Sequence, residues 1–425
     1  MRWLEGVNCL QIIVIGAGAA GISAARHLLS RRPDLKVTIL EAANRPGGRA
    51  WSVKPPALNG QAVDLGCGWF HGSRDNRWFA LARELEYAID ETPAPWSDPT
   101  RRLALDANAE KKAQQALGDF FDRLHDYDAS QGDSSWAEAV SPGEQWRSRF
   151  EMSSNMMNGA SLKQSSIVDY QHYAPGRGPD LRTSNGYGSL ISAAAAPLSI
   201  EYGTVVQTID HRDRNEIRIV TNRGMMTAAA VIVTVSTTIL ATEGIKFLPA
   251  LPGKTEAAAG LPLGKVNKLF LSLDSAGDLP VDGLYLGTHG EGGSVTYQLR
   301  PFGSSAIEVY FGGQLAEDME KAGPEGAQNF ASTDLAKLFG SSFPKRLSFA
   351  AMSGWCNDVN IGGGYSYAKP GEANQRQVLA ESVDDRLFFA GEACSPRKFS
   401  TAHGAFETGV VAAEAIVKKC QSSPA

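Results

Sequence analysis

Three glycines near the start of the sequence have the spacing of a phosphate-binding turn. Gly16, Gly18 and Gly21 form the pattern G-x-G-x-x-G. In such a pattern the first glycine permits a sharp turn, the second lets a pyrophosphate approach the backbone, and the third lets a helix pack closely on a strand. The apolar residues 12–15 predict that strand, and the spacing over 22–29 predicts the helix. Since the helix N-terminus would face the phosphate charge, these residues suit the binding of a dinucleotide.

Glu41 supplies a second part of the same chemistry. It ends the apolar run 37–40 and stands twenty residues after Gly21, where a carboxylate can accept hydrogen bonds from a ribose. Three glycines alone could form a purely structural turn. Their position between a strand and a helix, together with the correctly spaced acid, favours a dinucleotide site.

The composition limits the kind of protein and its partners. The length of 425 residues suggests two domains, and the net charge of −5 gives no indication of a nucleic acid or an anionic membrane as partner. Neither a leader pattern nor a run of eighteen apolar residues occurs, so we expect a cytosolic protein. The cysteines lack a C-x-x-C pair, which argues against a disulfide framework and a metal site. They are Cys9, Cys67, Cys356, Cys394 and Cys420.

Helical and strand patterns then alternate along the chain. Helical spacing follows Asn76 and covers 105–127 and 145–157, with a loop at 128–135 and another ending at Asp180. The segment NGYGSLISAAAAPL predicts a turn and a helix, and VVQTI, IRIVT and AAVIVTV predict strands. The segments VNKLFLSL, SVTYQL and AIEVYF alternate in the way of an antiparallel sheet.

The end of the chain indicates how the domains are assembled. After a helix predicted over 327–338, the strand RLFFAGE and the helix HGAFETGVVAAEAIVKK form an α/β unit that needs a sheet to join. We expect it to extend the sheet begun by residues 12–15. The predicted fold is therefore α/β, with a Rossmann-like domain interleaved with an α+β substrate domain that carries an antiparallel sheet. The predicted bounds are 1–75, 185–255 and 350–425 for the nucleotide-binding domain, and 76–184 and 256–349 for the substrate-binding domain.

Five further motifs occur in a fixed order. They are ANRPGGRA, DLGCGWFHG, LGKVNKLFLSLD, GWCNDVNIGGGYSY and RLFFAGEACSPRKFSTAHGAFETG. This set resembles the flavin-dependent amine oxidase family, which includes polyamine oxidases, monoamine oxidases and flavin-type histone lysine demethylases. The segment 87–178 carries little of the resemblance. The resemblance implies an FAD-binding domain, where the glycine pattern alone would also permit NAD.

The resemblance implies further residues that bind FAD. Beside the glycine motif and Glu41, they are Arg45, Gly47, Gly48, Arg49, Val206, Gly391 and Glu392. Two glycines flanked by guanidinium groups suit close phosphate approach, although a solvated basic turn has the same composition. Val206 matches a position whose backbone meets the adenine, and alone it would be an ordinary strand valine. Glu392 matches the acid near the ribityl and pyrophosphate end, with a helix cap as the structural alternative.

Lys268 is the first candidate for a direct role in the reaction. It aligns with the family lysine that holds a water beside the reactive nitrogen of the flavin. It also lies within the apolar strand VNKLFLSL, where an inward ammonium is costly unless it has a role. Lys265, three residues earlier, is the competitor. If the strand exposes an edge, both lysines are solvated.

Trp355, Tyr365 and Thr401 match the substrate side of the flavin. Monoamine oxidases place two tyrosines there, and because the second falls on Thr401 the pair is incomplete. This departure favours the polyamine oxidase and demethylase branches of the family and argues against small aromatic monoamines as substrates. Trp355 and Tyr365 could also be core aromatic residues. Gly364 falls where monoamine oxidases carry the cysteine bonded to FAD, so non-covalent FAD is implied.

Two questions about the substrate path stay open in the sequence. His71 matches a histidine that several polyamine oxidases place in the substrate channel, and it could equally be a hydrogen-bonded core residue. A cationic substrate calls for acids along its path, for which Asp169, Glu84 and Glu86 are candidates without a known position. An L-amino acid would need an arginine for its carboxylate, and none can be assigned.

The expected function is that of an FAD-dependent amine oxidase acting on a small-molecule amine. A hydride passes from the carbon next to a neutral amine nitrogen to FAD, the imine is hydrolysed, and dioxygen reoxidises the flavin with formation of hydrogen peroxide. A polyamine or another secondary amine is the preferred substrate. The alternatives are a flavin desaturase or dehydrogenase with another electron acceptor, an L-amino-acid oxidase, a flavin-binding module that acts through protein contact, and an NAD-dependent dehydrogenase.

Overall fold

The computed structural model describes residues 10–104, 106–275 and 277–422. Cys9 and Leu105, both named above, lie outside the described residues. The strands are β1 (Gln11–Ile15), β2 (Lys36–Leu40), β3 (Ser52–Val53), β4 (Val63–Asp64), β5 (Ile89–Asp90), β6 (Arg102–Leu103), β7 (Arg182–Thr183), β8 (Ile200–Glu201), β9 (Val206–Asp210), β10 (Ile217–Thr221), β11 (Gly224–Ala228), β12 (Ala230–Val233), β13 (Lys246–Leu248), β14 (Val266–Leu273), β15 (Gly283–Gly290), β16 (Gly293–Leu299), β17 (Ala306–Gly312), β18 (Leu347–Met352) and β19 (Leu387–Phe389). The α-helices are α1 (Ala19–Arg31), α2 (Arg77–Glu84), α3 (Ala107–His125), α4 (Arg147–Met157), α5 (Ile167–His172), α6 (Tyr187–Ala195), α7 (Thr237–Ala241), α8 (Pro252–Gly260), α9 (Gln314–Phe339), α10 (Gln375–Ala380) and α11 (Ala402–Ser422).

A parallel sheet with the order β19-β12-β1-β2-β8 carries the glycine turn. Its central strand β1 is apolar at successive positions because both faces are covered. Ile12 and Val14 pack with α1 and α11, and Ile13 and Ile15 pack with β9 and β10 on the other face. The strand before the glycines and the last strand of the chain thus share one sheet, as predicted, and the segment AAVIVTV forms the strand between them.

A smaller sheet has the order β11-β10-β9-β13 and covers one face of the parallel sheet. Strands β9 and β10 were predicted, whereas β11 was not. The sequence GMMTA of β11 has little strand propensity of its own, and its residues are exposed or half-buried except for Ala228. Pairing with β10 from Ile217 to Thr221 therefore decides its conformation.

A six-stranded sheet with the order β18-β14-β17-β16-β15-β6 forms the third layer. It is antiparallel except where β6 runs parallel to β15. One face packs on α9 through residues such as Leu269, Leu271 and Val309. The alternate residues, among them Lys268 and Tyr310, point to the opposite face, which lines a cavity.

Helices α3, α4 and α5 lie beyond that second face. Their shared core contains Phe120, Trp136 and Phe150, and the rings of Phe120 and Phe150 stack with centroids 4.4 Å apart. Helix α4 contacts both β15 and β16. The segment that carries little of the family resemblance thus closes one side of the cavity.

The structure differs from the sequence predictions in the start of one helix and in two strands that were missed. Helix α9 begins at Gln314 rather than at 327, because it continues through a kink at Gly323, where φ is 72°, and resumes with Pro324. Strands β15 and β18 were not predicted, and β18 spans residue 350, the proposed domain boundary. The last helix, predicted as HGAFETGVVAAEAIVKK from His403, is α11 and begins at Ala402, and a short 3-10 turn at Glu392–Cys394 precedes it.

Two further properties of the described residues concern helix hydropathy and the cysteines. Among them, no helix combines the length and the apolar character that crossing a membrane requires. The cysteines within the described ranges carry free thiols.

Candidate active site

One continuous cavity of about 1130 Å³ runs from the carboxyl end of the parallel sheet to the open face of the six-stranded sheet. It is lined by all but one of the site residues predicted from sequence; the exception is Gly21. The lining residues are Gly16, Gly18, Glu41, Arg45, Gly47, Gly48, Arg49, His71, Val206, Lys268, Trp355, Tyr365, Gly391, Glu392 and Thr401.

The glycine turn has the geometry that a bound phosphate requires. Gly16 has a φ of 101°, which an L side chain rarely adopts. A Cβ on Gly21 would lie 1.9 Å from the carbonyl oxygen of Gly16, so only glycine lets α1 pack on the turn. A Cβ on Gly18 would meet no atom within 4 Å and would project into open space. Gly18 therefore leaves room for a ligand, and Gly21 acts through packing outside the cavity.

Glu41 is fixed at the end of β2 by two backbone amides. Ala17 donates to its Oε2 at 2.7 Å and Ala43 donates to its Oε1 at 2.8 Å. Burial raises the pKa of Glu41, although both amides oppose this shift. Since a carboxylate can accept about four hydrogen bonds, Glu41 can still accept hydrogen bonds from the hydroxyls of a ribose.

The Arg45–Arg49 loop packs against the glycine turn. Gly47 donates to the carbonyl of Ala17 at 2.8 Å and forms an isolated parallel bridge with Gly18. The guanidinium of Arg45 lies 4.3 Å from the ring centroid of Trp51, and burial lowers its pKa. Arg45 is thus a stacked, half-buried cation beside the phosphate turn rather than part of a solvated basic loop.

Arg49 and Glu392 form an ion pair at the centre of the cavity wall. Arg49 Nη1 lies 2.8 Å from Oε1 of Glu392. Glu392 also accepts hydrogen bonds from the amide and hydroxyl of Ser366 and from the amide of Ser400. Burial alone would raise the pKa of Glu392, but Arg49 and these hydrogen bonds outweigh it and the pKa is lowered. Glu392 is therefore a charged part of the wall, and its side chain is not the cap of α11.

Behind this pair lies a second buried ion pair. Arg376 Nε lies 2.7 Å from Oδ1 of Asp169, and both side chains are at most 5% exposed. Asp169, a candidate acid for a cationic substrate, lines the cavity, and its charge is already matched by Arg376. Glu84 and Glu86 lie on the exposed surface and are not in the cavity wall.

Lys268 is buried and faces the cavity, whereas Lys265 is at the surface. The side chain of Lys268 is 9% exposed, and its Nζ lies 2.8 Å from Oε1 of Glu308. Lys265 is 42% exposed and pairs with Glu317. Of the two lysines, Lys268 is the one that lines the cavity.

The aromatic residues beside Lys268 are held by hydrogen bonds. Trp355 donates from Nε1 to the carbonyl of Leu65 at 3.0 Å. The hydroxyl of Tyr365 lies 2.7 Å from that of Tyr310 and also contacts the carbonyl of Met156. Burial raises the pKa of both tyrosines, so both are neutral. These contacts make Tyr365 a rigid wall.

Thr401 lines the cavity and directly precedes α11. Its Oγ1 donates to the carbonyl of Lys398 at 2.7 Å and accepts from the amide of Gly404 at 2.9 Å. The hydroxyl is therefore engaged in capping. The face that Thr401 offers to the cavity is small and carries no ring.

His71 lies at the cavity wall in a pair with Asp180. Its Nδ1 is 3.0 Å from Oδ2 of Asp180, and its side chain is 37% exposed. His71, the amide of Gly72 and the indole of Trp96 lower the pKa of Asp180 against the effect of burial, which would raise it. A charged carboxylate and a histidine thus share one segment of the wall, and the histidine is not a core residue.

Several wall residues were missed by the sequence analysis. They are Arg102, Arg149, Asp180, Glu308 and Tyr310. For Glu308 and Tyr310 a signal existed, because they alternate with apolar residues in AIEVYF and so share one face of β17. The other three lie in segments whose position relative to the cavity only the fold determines.

Comparison with known proteins gives a consistent result. A family model described as "Flavin containing amine oxidoreductase" matches residues 19–417. "Polyamine oxidase 2" of Arabidopsis thaliana is 30% identical over 438 residues, which cover 95% of this chain and 87% of that protein. "Lysine-specific histone demethylase 1 homolog 1" of Oryza sativa subsp. japonica is 28% identical over 452 residues, which cover 96% of this chain and 52% of that protein.

A solved structure shows the same fold. "Cyclohexylamine Oxidase from Brevibacterium oxydans IH-35A" superposes with a TM-score of 0.79 at 20% sequence identity, covering 97% of this chain and 100% of that one. At this identity the likeness concerns the fold alone. The predicted α/β architecture with a parallel nucleotide-binding sheet and a separate antiparallel sheet is confirmed.

Proposed function

Because the chain belongs to the flavin-containing amine oxidoreductase family, we propose that it oxidises an amine at the carbon next to nitrogen and passes the electrons to dioxygen. Membership of the family confirms the predicted enzyme class, an FAD-dependent oxidoreductase that acts on C–N bonds with non-covalent FAD. The observation that carries the proposal is the buried, cavity-facing ammonium of Lys268, close to the family-matched Trp355 and Tyr365.

The cavity wall offers a separate surface for each part of FAD. Glu41 and Val206 would bind the adenosine end, and Gly18 lies where the pyrophosphate must approach the backbone. Arg49 and Glu392 would contact the ribityl and flavin end. When bound, FAD supplies the redox chemistry, accepting a hydride from the substrate carbon and being reoxidised by dioxygen with formation of hydrogen peroxide.

Lys268 would hold a water molecule in this site. An ammonium group has three hydrogen-bond donors, of which Glu308 takes one. The remaining donors can orient a water molecule toward the reacting atoms. Glu308 compensates the charge of Lys268, so the ammonium can stay in a partly buried position.

The substrate must react as the neutral amine, because its nitrogen lone pair has to be free. The apolar and aromatic residues of the wall disfavour an ammonium ion and so promote loss of its proton. Tyr365 and Trp355 would orient the amine. The imine product is then hydrolysed by water to a carbonyl compound and an amine.

A polyamine or another secondary amine is the proposed substrate. Thr401 leaves the wall without a second tyrosine, so a flat aromatic amine would not be clamped between two rings. Asp180 supplies a charged carboxylate on the wall beside His71. "Polyamine oxidase 2" is the relative whose name points in the same direction.

A peroxide-coupled screen of the purified holoenzyme tests the proposal. The substrates are polyamines, monoamines, amino acids and cyclic secondary amines, and peroxide formation from at least one amine is expected. Anaerobic reduction followed by mixing with air separates an oxidase from a desaturase or dehydrogenase, because an oxidase regains its yellow colour within seconds. Peroxide formation from L-amino acids alone would favour the L-amino-acid oxidase alternative.

A cytosolic location also stays a prediction, consistent with the free thiols.

A further inference from the structure

Two arginines share one carboxylate at the end of the cavity remote from Lys268. Nη1 of Arg102 lies 3.2 Å from Oε1 of Glu110, and Nη2 of Arg149 contacts Oε2 of the same residue. The side chains of Arg102 and Arg149 are 18% and 10% exposed, and both line the cavity. The group therefore carries one uncompensated positive charge in a partly buried position, which is unfavourable without a further anion.

The hydrogen bonds of these arginines are also incomplete. Nε of Arg102 is buried and has no acceptor, and its Nη2 reaches only the carbonyl of Trp96 at 3.5 Å. Nη1 of Arg149 faces the sulfur of Met152 at 3.9 Å, a weak acceptor. Burial and the neighbouring charge of Arg102 lower the pKa of Arg149 against the effect of Glu110. Burial lowers the pKa of His289 nearby, so this histidine is neutral and adds no further positive charge to the cluster.

The register of the six-stranded sheet gives the distance between this cluster and Lys268. Lys268 on β14 pairs with Tyr310, which pairs with Thr296, and Thr296 pairs with Leu286. On the same strand, Leu284 pairs with Arg102 of β6. Four strand spacings separate β14 from β6, or about 19 Å between the two backbones.

The wall between the two ends is mainly apolar. It contains Leu117 and Phe121 of α3, Met156 of α4, and Leu284 and Leu286 of β15, together with the uncharged Thr296 and Gln298 of β16. Such a wall suits a methylene chain and would leave the internal ammonium groups of a polyamine without partners. The cavity thus has a site for amine chemistry, an apolar middle and a cationic end.

We propose that Arg102 and Arg149 form a carboxylate-binding subsite, which narrows the proposed substrate range: an amine joined through an apolar chain to a carboxylate is preferred to a polyamine. This inference rests on the proposed function, because the reacting amine is placed beside Lys268. It also separates the substrate from an L-α-amino acid, whose carboxylate is attached to the reacting carbon and cannot reach a cluster four strands away.

The kinetic test compares amines that differ only in the remote group. Aminododecanoate, dodecylamine, dodecanediamine and spermine are given to the holoenzyme, and kcat/KM is measured for each. Aminododecanoate should exceed dodecanediamine by roughly tenfold to a hundredfold, the effect of a charge-assisted hydrogen bond. Arg102→Gln and Arg149→Gln should remove this advantage by raising KM for aminododecanoate toward the value for dodecylamine. The matched control is Arg147→Gln, because Arg147 lies on the same helix as Arg149 but pairs with Glu151.

A binding test is independent of turnover. Titration calorimetry of decanoate, which has a carboxylate and no amine, should show binding that is lost in Arg102→Gln. Glu110→Gln should bind decanoate more tightly, because a competing carboxylate is removed, whereas a purely structural cluster would not gain affinity. If Arg149→Gln fails to fold, the decanoate affinities of Arg102→Gln and Glu110→Gln still test the carboxylate-binding subsite.

The possible results separate the two proposals. A preference for spermine or dodecanediamine that is insensitive to Arg102 would overturn the carboxylate subsite and leave amine oxidation intact. Arginine-dependent binding of decanoate without oxidation of any amine would support the subsite and refute the proposed function. Absence of both decanoate binding and amine oxidation would refute both.

Discussion

The ammonium nitrogen of Lys268 lies 2.8 Å from Oε1 of Glu308 across neighbouring strands of the six-stranded sheet. The pairing register sets Lys268 opposite Tyr310, so Glu308, two residues earlier, is its diagonal neighbour on the same face. An inward lysine in an apolar strand is therefore compensated from β17. The pair holds the ammonium at the cavity wall, where the chemistry is proposed to occur.

Replacement of Lys268 by Met should slow flavin reduction or reoxidation by roughly a hundredfold, in the range of a positioned proton-transfer group. FAD should stay bound, because the FAD-binding surfaces lie elsewhere in the cavity. Stopped-flow absorbance of the flavin in both half-reactions provides the measurement. Lys265→Met is the matched control, since that lysine is 42% exposed and pairs with Glu317 at the surface. Wild-type rates in both half-reactions of Lys268→Met would remove the assigned role.

The local parts of the site could be predicted from the sequence, and the parts set by strand pairing could not. Gly16 and Gly21 contact one another within a single turn, so their spacing already contains the geometry. The partner of Lys268 depends on the register of β14 with β17, about forty residues away in sequence. Asp169 looked available because the buried Arg376 that neutralises it lies more than two hundred residues later.

Helix α9 shows a second limit of sequence patterns. Gly323 and Pro324 together are typical of a helix end, and the helix was predicted only from residue 327. In the structure the helix axis changes direction at Gly323, whose φ is 72°. Pro324 then lies near the start of a new helical segment, where its amide nitrogen would have no intrahelical acceptor, so the missing proton removes no hydrogen bond. The face of the six-stranded sheet covers both segments, and packing therefore decides the outcome.

Glu392→Gln should weaken FAD binding and lower stability by about 3 kcal/mol, the lower end of the cost of breaking a buried ion pair, since Arg49 is 30% exposed. The substitution keeps the shape of the side chain and removes the charge that Arg49 faces. The ratio of flavin to protein absorbance after gel filtration measures FAD retention, and thermal unfolding measures stability. Glu414→Gln, which removes a surface partner of His27, should change neither. Full FAD retention in Glu392→Gln would contradict the role of this pair.

Gly21→Ala should destabilise the protein by about 3 kcal/mol, because the added Cβ would lie 1.9 Å from the carbonyl oxygen of Gly16 and must push α1 from the turn. Because the glycine turn would then be displaced from α1, the variant should also bind FAD more weakly. Gly118→Ala is the opposite control, since it lies on the exposed side of α3 with no atom within 4 Å of the added Cβ. There the helix propensity of alanine should stabilise by about 1 kcal/mol. Urea unfolding of both variants gives the comparison, and equal effects at the two positions would refute the packing argument.

Tyr365→Phe should lower kcat/KM by roughly tenfold while the free energy of unfolding changes by only about 1 kcal/mol, the typical net value of a hydrogen bond. The hydroxyl ties Tyr365 to Tyr310 and to the carbonyl of Met156, and without it the ring loses its fixed orientation toward the substrate. Tyr285→Phe, on the face of the sheet that packs on α9, serves as the control for loss of a buried hydroxyl. If both variants lose activity equally, the effect arises from the sheet and not from the cavity wall.

Stability should fall in mildly acidic solution because of His403, which is 1% exposed at the start of α11. Burial lowers its pKa from 6.5 to about 4, and its Nε2 lies 2.6 Å from the carbonyl oxygen of Pro175. Between these two pH values the unfolded chain binds a proton that the folded chain does not. The free energy of unfolding therefore decreases as the pH falls through this interval, by roughly 3 kcal/mol in total.

Urea unfolding of the His403→Gln variant between pH 7 and pH 4 checks this assignment. Glutamine can still donate to the carbonyl of Pro175 and carries no titratable group, so the pH dependence of its unfolding free energy should be shallower than that of the wild type. His125→Gln removes an exposed histidine at the end of α3 and should leave the slope unchanged. The acid sensitivity would then be a property of one buried imidazole, and parallel slopes for the wild type and His403→Gln would show that other groups are responsible.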